Sequence, residues 1–437
     1  MTKVKSRSPL GQLPAFKKDP IAFLKVMEEK QQPVLRFRFA HRPVYLLMHP
    51  ALIEETLIRK ADYFYKSKPF KELEPILGQG LLLSEGQFHK KQRSHIQPLF
   101  TPKHIQTYVE DMAHCTKGKI DDWTDNKARP ISKDFMELTL QVIVKTMFGT
   151  MVENGDALVG KPLETAMEVA VQRIRTIWKS PKGLNIGNNR LFNKAVGDLN
   201  QMVDHIIEQH SEGNDSLLSL LKNPRAKGEG SMSIQQLRDE VMTIFLAGHE
   251  TTAVTLTWTL YLLMNHLDVY EKVVEEVEDV LSGDLPTYQE ATALTYTKKV
   301  ILESMRLYPP AWLFGRQAQE DVNIGSTYVK KGSTLMISPY AMHRNRRYFD
   351  YTDDFIPDRF ENGKPVGVPE FVYLPFGAGS RICIGQHFAI VEMLVILSTM
   401  IKSIQFSPLS SKLSVTPDPL ITLRPKEGLW VLAKRKL

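Results

Sequence analysis

One decapeptide constrains this chain more than any other feature. Phe376-Gly377-Ala378-Gly379-Ser380-Arg381-Ile382-Cys383-Ile384-Gly385 sets a single cysteine in a glycine-rich bend directly ahead of an apolar helical pattern. Glycine adopts positive φ without steric cost, so Gly377, Gly379 and Gly385 allow the main chain to fold tightly around the sulfur. Residues 386–401 carry helical periodicity, which puts Cys383 just before a helix N-terminus whose partial positive charge favours an anion. Arg381 adds a full charge two residues away. These are the conditions that keep a cysteine ionised and able to bind a metal. A buried free cysteine beside a glycine turn is the alternative for a bare Cys-x-Gly, and the rest of the ten residues speaks against it.

Cys115 and Cys383 are the two cysteines of 437 residues, so there is no disulfide framework and no zinc pattern; a reducing compartment is expected. The apolar content of 43% is ample for a sizeable core. The first twenty residues hold Lys3, Lys5, Arg7, Lys17 and Lys18 among prolines, with no run fit for a signal peptide or membrane anchor. A loosely ordered arm over residues 1–20 and a cytoplasmic chain are expected. The longest apolar stretch, residues 241–264, is interrupted by Gly248, His249, Glu250, Thr251 and Thr252, which favours a buried helix over a membrane span. The net charge of +7 comes without a helix-turn-helix or RNA-binding signature, so nucleic acid is not expected as a partner.

Most of the chain reads as helix, including residues 51–59, 135–147, 162–178, 191–208 and 234–265. Ser233-Ile234-Gln235-Gln236 has the spacing of a capping box at the start of the last of these. Residues 34–39 and 44–48 flank a His41-Arg42-Pro43 turn and read as a hairpin, which residues 327–329, 334–337 and 429–433 could join. The polar stretches 180–190 and 223–233 read as loops, because neither is long enough to separate independent cores. The expectation is a mainly α fold with a small β-sheet region, α+β in class, forming a single domain over residues 1–437.

Within the long helix, Ala247-Gly248-His249-Glu250-Thr251-Thr252 sets a glycine, an acid and two hydroxyls in apolar surroundings. Glycine costs about 1 kcal/mol relative to alanine in a helix interior, and an unpaired buried carboxylate costs more. A structural account needs partners for Glu250 and Thr251; a functional account needs a reaction that uses them.

The decapeptide matches Phe-x-x-Gly-x-Arg-x-Cys-x-Gly at every fixed position, and the chain resembles the cytochrome P450 family over nearly its whole length. The hexapeptide is similar to that family's Ala-Gly-x-Glu-Thr-Thr motif. The resemblance implies the cytochrome P450 fold, with haem b held between a long distal helix and the proximal cysteine loop and ligated by Cys383. No Cys-x-x-Cys-His is present for covalent attachment. Phe376, Gly385 and Ala247 are then cofactor-contacting positions, Thr251 a hydrogen-bond donor and Glu250 a proton relay, since oxygen activation needs two protons in a water-poor pocket. His89 and Arg93, Arg316, and Arg381 match the places of propionate-binding residues. Glu303-Ser304-Met305-Arg306 matches the Glu-x-x-Arg motif, with Arg359 of Pro357-Asp358-Arg359-Phe360 as its expected structural partner.

The implied activity is a monooxygenase that inserts one atom of O2 into an apolar small-molecule substrate. No flavin, iron–sulfur or nicotinamide module is visible. Electrons are therefore expected from a ferredoxin or flavodoxin with its reductase, steered by Lys90 and Lys91. A monomer is expected. A peroxide-driven oxygenase and a non-enzymatic haem sensor or carrier are the alternatives; the Glu250-Thr251 relay would be redundant in the first. The substrate pocket is expected from residues 63–83, from Phe245, Leu246 and Ala247, and from residues 311–314, with residues 180–190 as a lid.

Overall fold

Alternating burial along Val34–Phe39 and a tight reversal at Ala40, whose φ is +51°, make the expected hairpin with Arg42–Leu47, in register from Val34 opposite Leu47 to Phe39 opposite Arg42. The computed structural model describes residues 1–150, 156–175, 187–209, 218 and 232–436. It falls into two units, one of residues 1–71, 302–383 and 421–423, the other of residues 72–301, 384–420 and 424–437.

The first unit is built on a six-stranded sheet in the order Thr2–Lys3, Val34–Phe39, Arg42–Leu47, Thr334–Ile337, Phe314–Ala318, Phe64–Lys66. The pairing of Arg42–Leu47 with Thr334–Ile337 is parallel, so the early hairpin joins the later strands as expected. Thr327–Val329 does not; it pairs with Val322–Ile324 as a separate ribbon. The first twenty residues, expected as a loose arm, instead add a parallel strand, Thr2–Lys3, and a helix, Leu13–Lys18. The physical reason is Phe16, whose ring packs on Phe23 at 5.5 Å, Phe39 at 5.0 Å and Trp312 at 6.5 Å.

The second unit is mainly helical. Ile131–Phe148, Lys161–Arg175, Asn188–Gln209 and Ile234–Asn265 correspond to four of the expected helices. The long helix Ile234–Asn265 starts at a complete capping box: Ser233 Oγ accepts from Gln236 N–H at 3.2 Å, and Ser233 N–H donates to Gln236 Oε1 at 3.1 Å. Residues 429–433, expected in the hairpin sheet, lie in Trp430–Arg435, the centre of a three-stranded sheet with Ile404–Pro408 and Lys127–Pro130. The end of the helix expected to reach residue 178, most of the lid at 180–190 and most of the loop at 223–233 lie outside the described residues. Among the described residues no helix is long and apolar enough to cross a membrane.

Glu303 and Arg306 are both wholly buried. Arg306 donates from Nε to Glu303 Oε2 at 2.7 Å and from Nη2 to Oε1 at 2.9 Å, a bidentate pair. Its other bonds go to the carbonyls of His343 (3.0 Å), Thr352 (2.7 Å) and Asp354 (2.9 Å), so all five guanidinium protons are used. Glu303 Oε1 also accepts from Arg359 Nε at 3.1 Å and from Ile356 N–H at 3.0 Å. His343 Nε2, also buried, accepts from Leu374 N–H at 2.8 Å, and Tyr373 donates its hydroxyl proton to Leu302 O at 2.8 Å. Burial, with Arg306 and Arg344 nearby, pushes the His343 imidazole down to about 3.

Removing the acid leaves the buried Arg306 and the half-buried Arg359 without their carboxylate. Glu303→Ala is expected to lower unfolding free energy by roughly 3 to 5 kcal/mol; a denaturant midpoint equal to that of the parent protein would refute this. For His343 the folded state holds the neutral form while the unfolded state titrates near the ordinary 6.5, so stability is full above about 6.5 and is lost as pH falls towards about 3. His343→Gln should flatten that limb of the curve, which urea melts across the acid range will show.

Candidate active site

Backbone geometry, more than side-chain packing, shapes the cysteine loop. Gly377 has φ +71° and Gly379 φ +73°, and a Cβ on Gly379 would lie 2.2 Å from Leu57 O, so no other residue fits there. Gly377 N–H donates to Leu374 O at 3.1 Å, Ile382 N–H to Gly379 O at 3.0 Å and Cys383 N–H to Phe376 O at 2.9 Å, which closes residues 376–383 on themselves. Gly385 differs from expectation. Its φ of −89° is ordinary, because it serves as the N-cap residue of Gln386–Ser403 and needs no left-handed turn. Cys383 is exposed, with the apolar Ile382 beside it also accessible at 37%. Phe376 and Arg381 are half-buried in the same loop.

The long helix of the second unit is buried along residues 241–246 and again along residues 252–260. Between them Ala247 is exposed and Gly248, Glu250 and Thr251 are half-buried. Thr251 Oγ1 donates to Ala247 O at 2.7 Å, and Thr252, Thr255, Thr257 and Thr259 also bond back four residues. Gly248 has a packing reason of its own, since a Cβ there would lie 2.6 Å from Ile143 Cδ1. His249 is buried and donates from Nδ1 to Phe245 O, and burial pushes its imidazole below the ordinary range. Phe245, expected to line a pocket, packs at a tilt against Phe148 with ring centroids 5.1 Å apart and belongs to the core, as does the buried Leu246.

His89, buried, and Arg93, half-buried, lie four apart on the helix Gly86–Ile96. Lys90 and Lys91 between them are exposed. Arg316, half-buried on Phe314–Ala318, sits over the Phe314 ring at 5.3 Å. Sequence reasoning missed Tyr373, just ahead of the cysteine loop, and His343, which accepts from the N–H of Leu374 beside it. It also missed Glu392, which is wholly buried in Gln386–Ser403, accepts from Thr252 Oγ1 at 3.0 Å and is pushed by burial up to about 8. The detectable signal was an acid inside the apolar run 388–397.

These residues suit a haem. Among the described residues no three His, Cys, Asp or Glu side chains gather to hold a metal directly, whereas a metal carried in a macrocycle needs one protein ligand. The accessible thiol of Cys383, in its closed loop, has the chemistry of such a ligand. The short uncovered face at Ala247, in a helix otherwise buried to either side, suits a flat apolar group.

The cytochrome P450 family model matches residues 7–432. Cyclooctatin synthase of Streptomyces melanosporofaciens is 33% identical, covering 89% of this chain and 86% of its own. Cyclooctat-9-en-7-ol 5-monooxygenase of the same organism is 30% identical over 90% of this chain and 86% of its own. Pentalenene oxygenase of Streptomyces avermitilis is 27% identical over 92% and 89%. The chain belongs to the cytochrome P450 family, whose Cys-ligated haem makes it an oxidoreductase that incorporates oxygen from O2.

Proposed function

We propose that this protein hydroxylates or epoxidises an apolar, carbocyclic substrate, with Cys383 as the iron ligand and Glu250 and Thr251 as the proton-handling pair. The observation that carries this reading is that one chain holds both an accessible cysteine in a closed glycine loop and, within a buried helix, an uncovered, polar-edged face. The names of two relatives describe an alkenol and an alkene, and we carry that class of substrate over to this chain. A thiolate-ligated haem, when bound, supplies the activation of O2, one atom going to the substrate and the other to water.

The residues of the chain supply position and protons. Cys383 offers its sulfur from a loop that the N–H groups of Gly377, Ile382 and Cys383 close within residues 374–383. Thr251, expected as a donor, has its one proton committed to Ala247 O, so the role proposed for it here is that of an acceptor whose lone pairs hold a water. That water can then pass its own proton onward. Glu250, half-buried and adjacent in sequence, connects this point to solvent. His89, Arg93, Arg316 and Arg381 are the proposed propionate contacts, with Phe376, Gly385 and Ala247 in contact with the ring. The half-exposed Leu81, Leu82 and Leu83 are the proposed substrate contacts from the segment 63–83, whereas Phe64 and Ile76 are core. Electrons come from a separate ferredoxin or flavodoxin with its reductase, for which the exposed Lys90 and Lys91 offer a cationic docking face. We further propose that the whole chain acts as one catalytic domain, as a monomer in the cytoplasm.

The reading is tested by the absorption spectrum of dithionite-reduced protein under carbon monoxide. A strongly red-shifted Soret band that disappears in Cys383→Ser is expected; a histidine-type band in the parent protein would overturn it. With a surrogate ferredoxin and reductase, Thr251→Ala should consume electrons while releasing hydrogen peroxide, with product per electron falling by about tenfold or more. Unchanged coupling removes Thr251 from the proton path.

A further inference from the structure

The turn that follows Gly78 is fastened to the long helix by two carboxylates that the proposed reaction does not use. Asp239 Oδ2 accepts from Gln79 N–H at 2.8 Å, and Glu240 Oε2 accepts from Leu81 N–H at 2.9 Å. Gly78 has φ +52°, and a Cβ on it would lie 2.1 Å from the Asp239 carboxylate. A Cβ on Gly80 would lie 2.1 Å from Thr243 Oγ1. The backbone of the turn therefore rests directly on the helix. Gln92 adds a bond from Nε2 to Gln79 O at 3.1 Å, and the N–H groups of Leu83 and Ser84 both close onto Gly80 O at 2.9 Å. What this scaffold presents is three consecutive half-exposed leucines, Leu81, Leu82 and Leu83.

The fastening is costly. Glu240 is wholly buried, burial pushes its carboxyl up to about 7, and Oε1 has no hydrogen-bond partner among the described residues; nor has Thr243 Oγ1. An apolar side chain of similar size would fill the same space at less cost, so what the carboxylate contributes is the hold on Leu81 N–H. Glu240 precedes Ala247 by seven residues and Thr251 by eleven, close to two and three full turns, so all three lie on one stripe of the helix. The leucine turn is thus tied to the same stripe that carries the proposed proton-handling residue.

We infer that Asp239 and Glu240 are positioning residues for ligand selection: they clamp the turn of residues 78–84 to the long helix, so that Leu81, Leu82 and Leu83 form a fixed apolar wall which sets the shape of ligand accepted. The inference rests on the proposed function, which puts these leucines in contact with substrate.

The test compares Glu240→Ala and Glu240→Gln with the parent holoenzyme by two readouts. The first is amide hydrogen exchange of peptides covering residues 79–84. The second is spectral titration with imidazole, which needs only the iron, and with 4-phenylimidazole, which also needs an apolar wall. Loss of the clamp in Glu240→Ala should speed exchange at Leu81 and weaken 4-phenylimidazole by about tenfold each, with imidazole within about twofold. Glu240→Gln keeps an acceptor and should behave as the parent in both. If Glu240→Ala yields no holoenzyme, Gly80→Ala, whose added methyl lifts the turn off Thr243, carries the same expectation. Unchanged exchange overturns the clamp. Faster exchange with an unchanged ratio of the two affinities overturns the wall, and equal weakening of both ligands reduces the residue to a general structural role. A parent protein with no imidazole-induced band overturns the haem reading and the wall with it, while the exchange result still decides the clamp.

Discussion

A carboxylate shut away from water persists only where every lone pair that matters has a donor, and Glu303 meets that condition with Arg306, Arg359 and the Ile356 amide. The first unit depends on this cluster. Arg306 reaches the carbonyls of His343, Thr352 and Asp354 and so pins the irregular chain between residues 343 and 359, where no helix or strand longer than a few residues would satisfy the backbone. From there His343 holds Leu374 and Tyr373 holds Leu302, and two residues later the chain enters the loop that carries Cys383. The sulfur is positioned by glycine backbone, and the backbone is positioned by a buried ion pair. Charge is used here for specification: an apolar pair would fill the volume but could not fix so many carbonyls at once.

The long helix solves a related problem by other means. Its five back-bonding threonines bond to their own helix, and of these Thr252 also meets Glu392 of another helix, so polar groups stand inside apolar surroundings with few partners from elsewhere. Gly248 is kept small by Ile143, which means that one motif glycine answers to packing as well as to any cofactor. The acids are treated unequally. Glu250 keeps partial access to solvent, whereas Glu240 and Glu392 are sealed in and pushed towards the neutral form. Only the first has the exposure that a relay to bulk water requires.

Much of this was legible in the residues themselves. The cysteine decapeptide, the capping box at Ser233, the span of the long helix and the hairpin at Val34 are local patterns, set by glycine φ, by a side chain three residues from its cap and by alternation of period two, and local patterns survive into the folded chain. The association of Glu303 with Arg306 was readable from i,i+3 spacing, while Arg359 entered only through the resemblance to a family.

What the tertiary structure alone decided concerns contacts between distant residues. The order of residues 1–20 depends on Phe16 meeting Phe39 and Trp312, and no periodicity in the arm announces that. Residues 429–433 carry a strand pattern but not the identity of its neighbours, because an edge pairs with whichever strand the helices bring alongside it. His343, Glu392 and Glu240 look in sequence like any other polar residue near an apolar run. Their burial, and therefore their altered acidity, arises only when remote segments close over them. The sequence by itself determined the chemistry on offer, since a thiol, an acid and a hydroxyl are what they are wherever they lie; which of them would face solvent, and which would be sealed in, was decided by packing, because desolvation is a property of the surroundings and not of the residue.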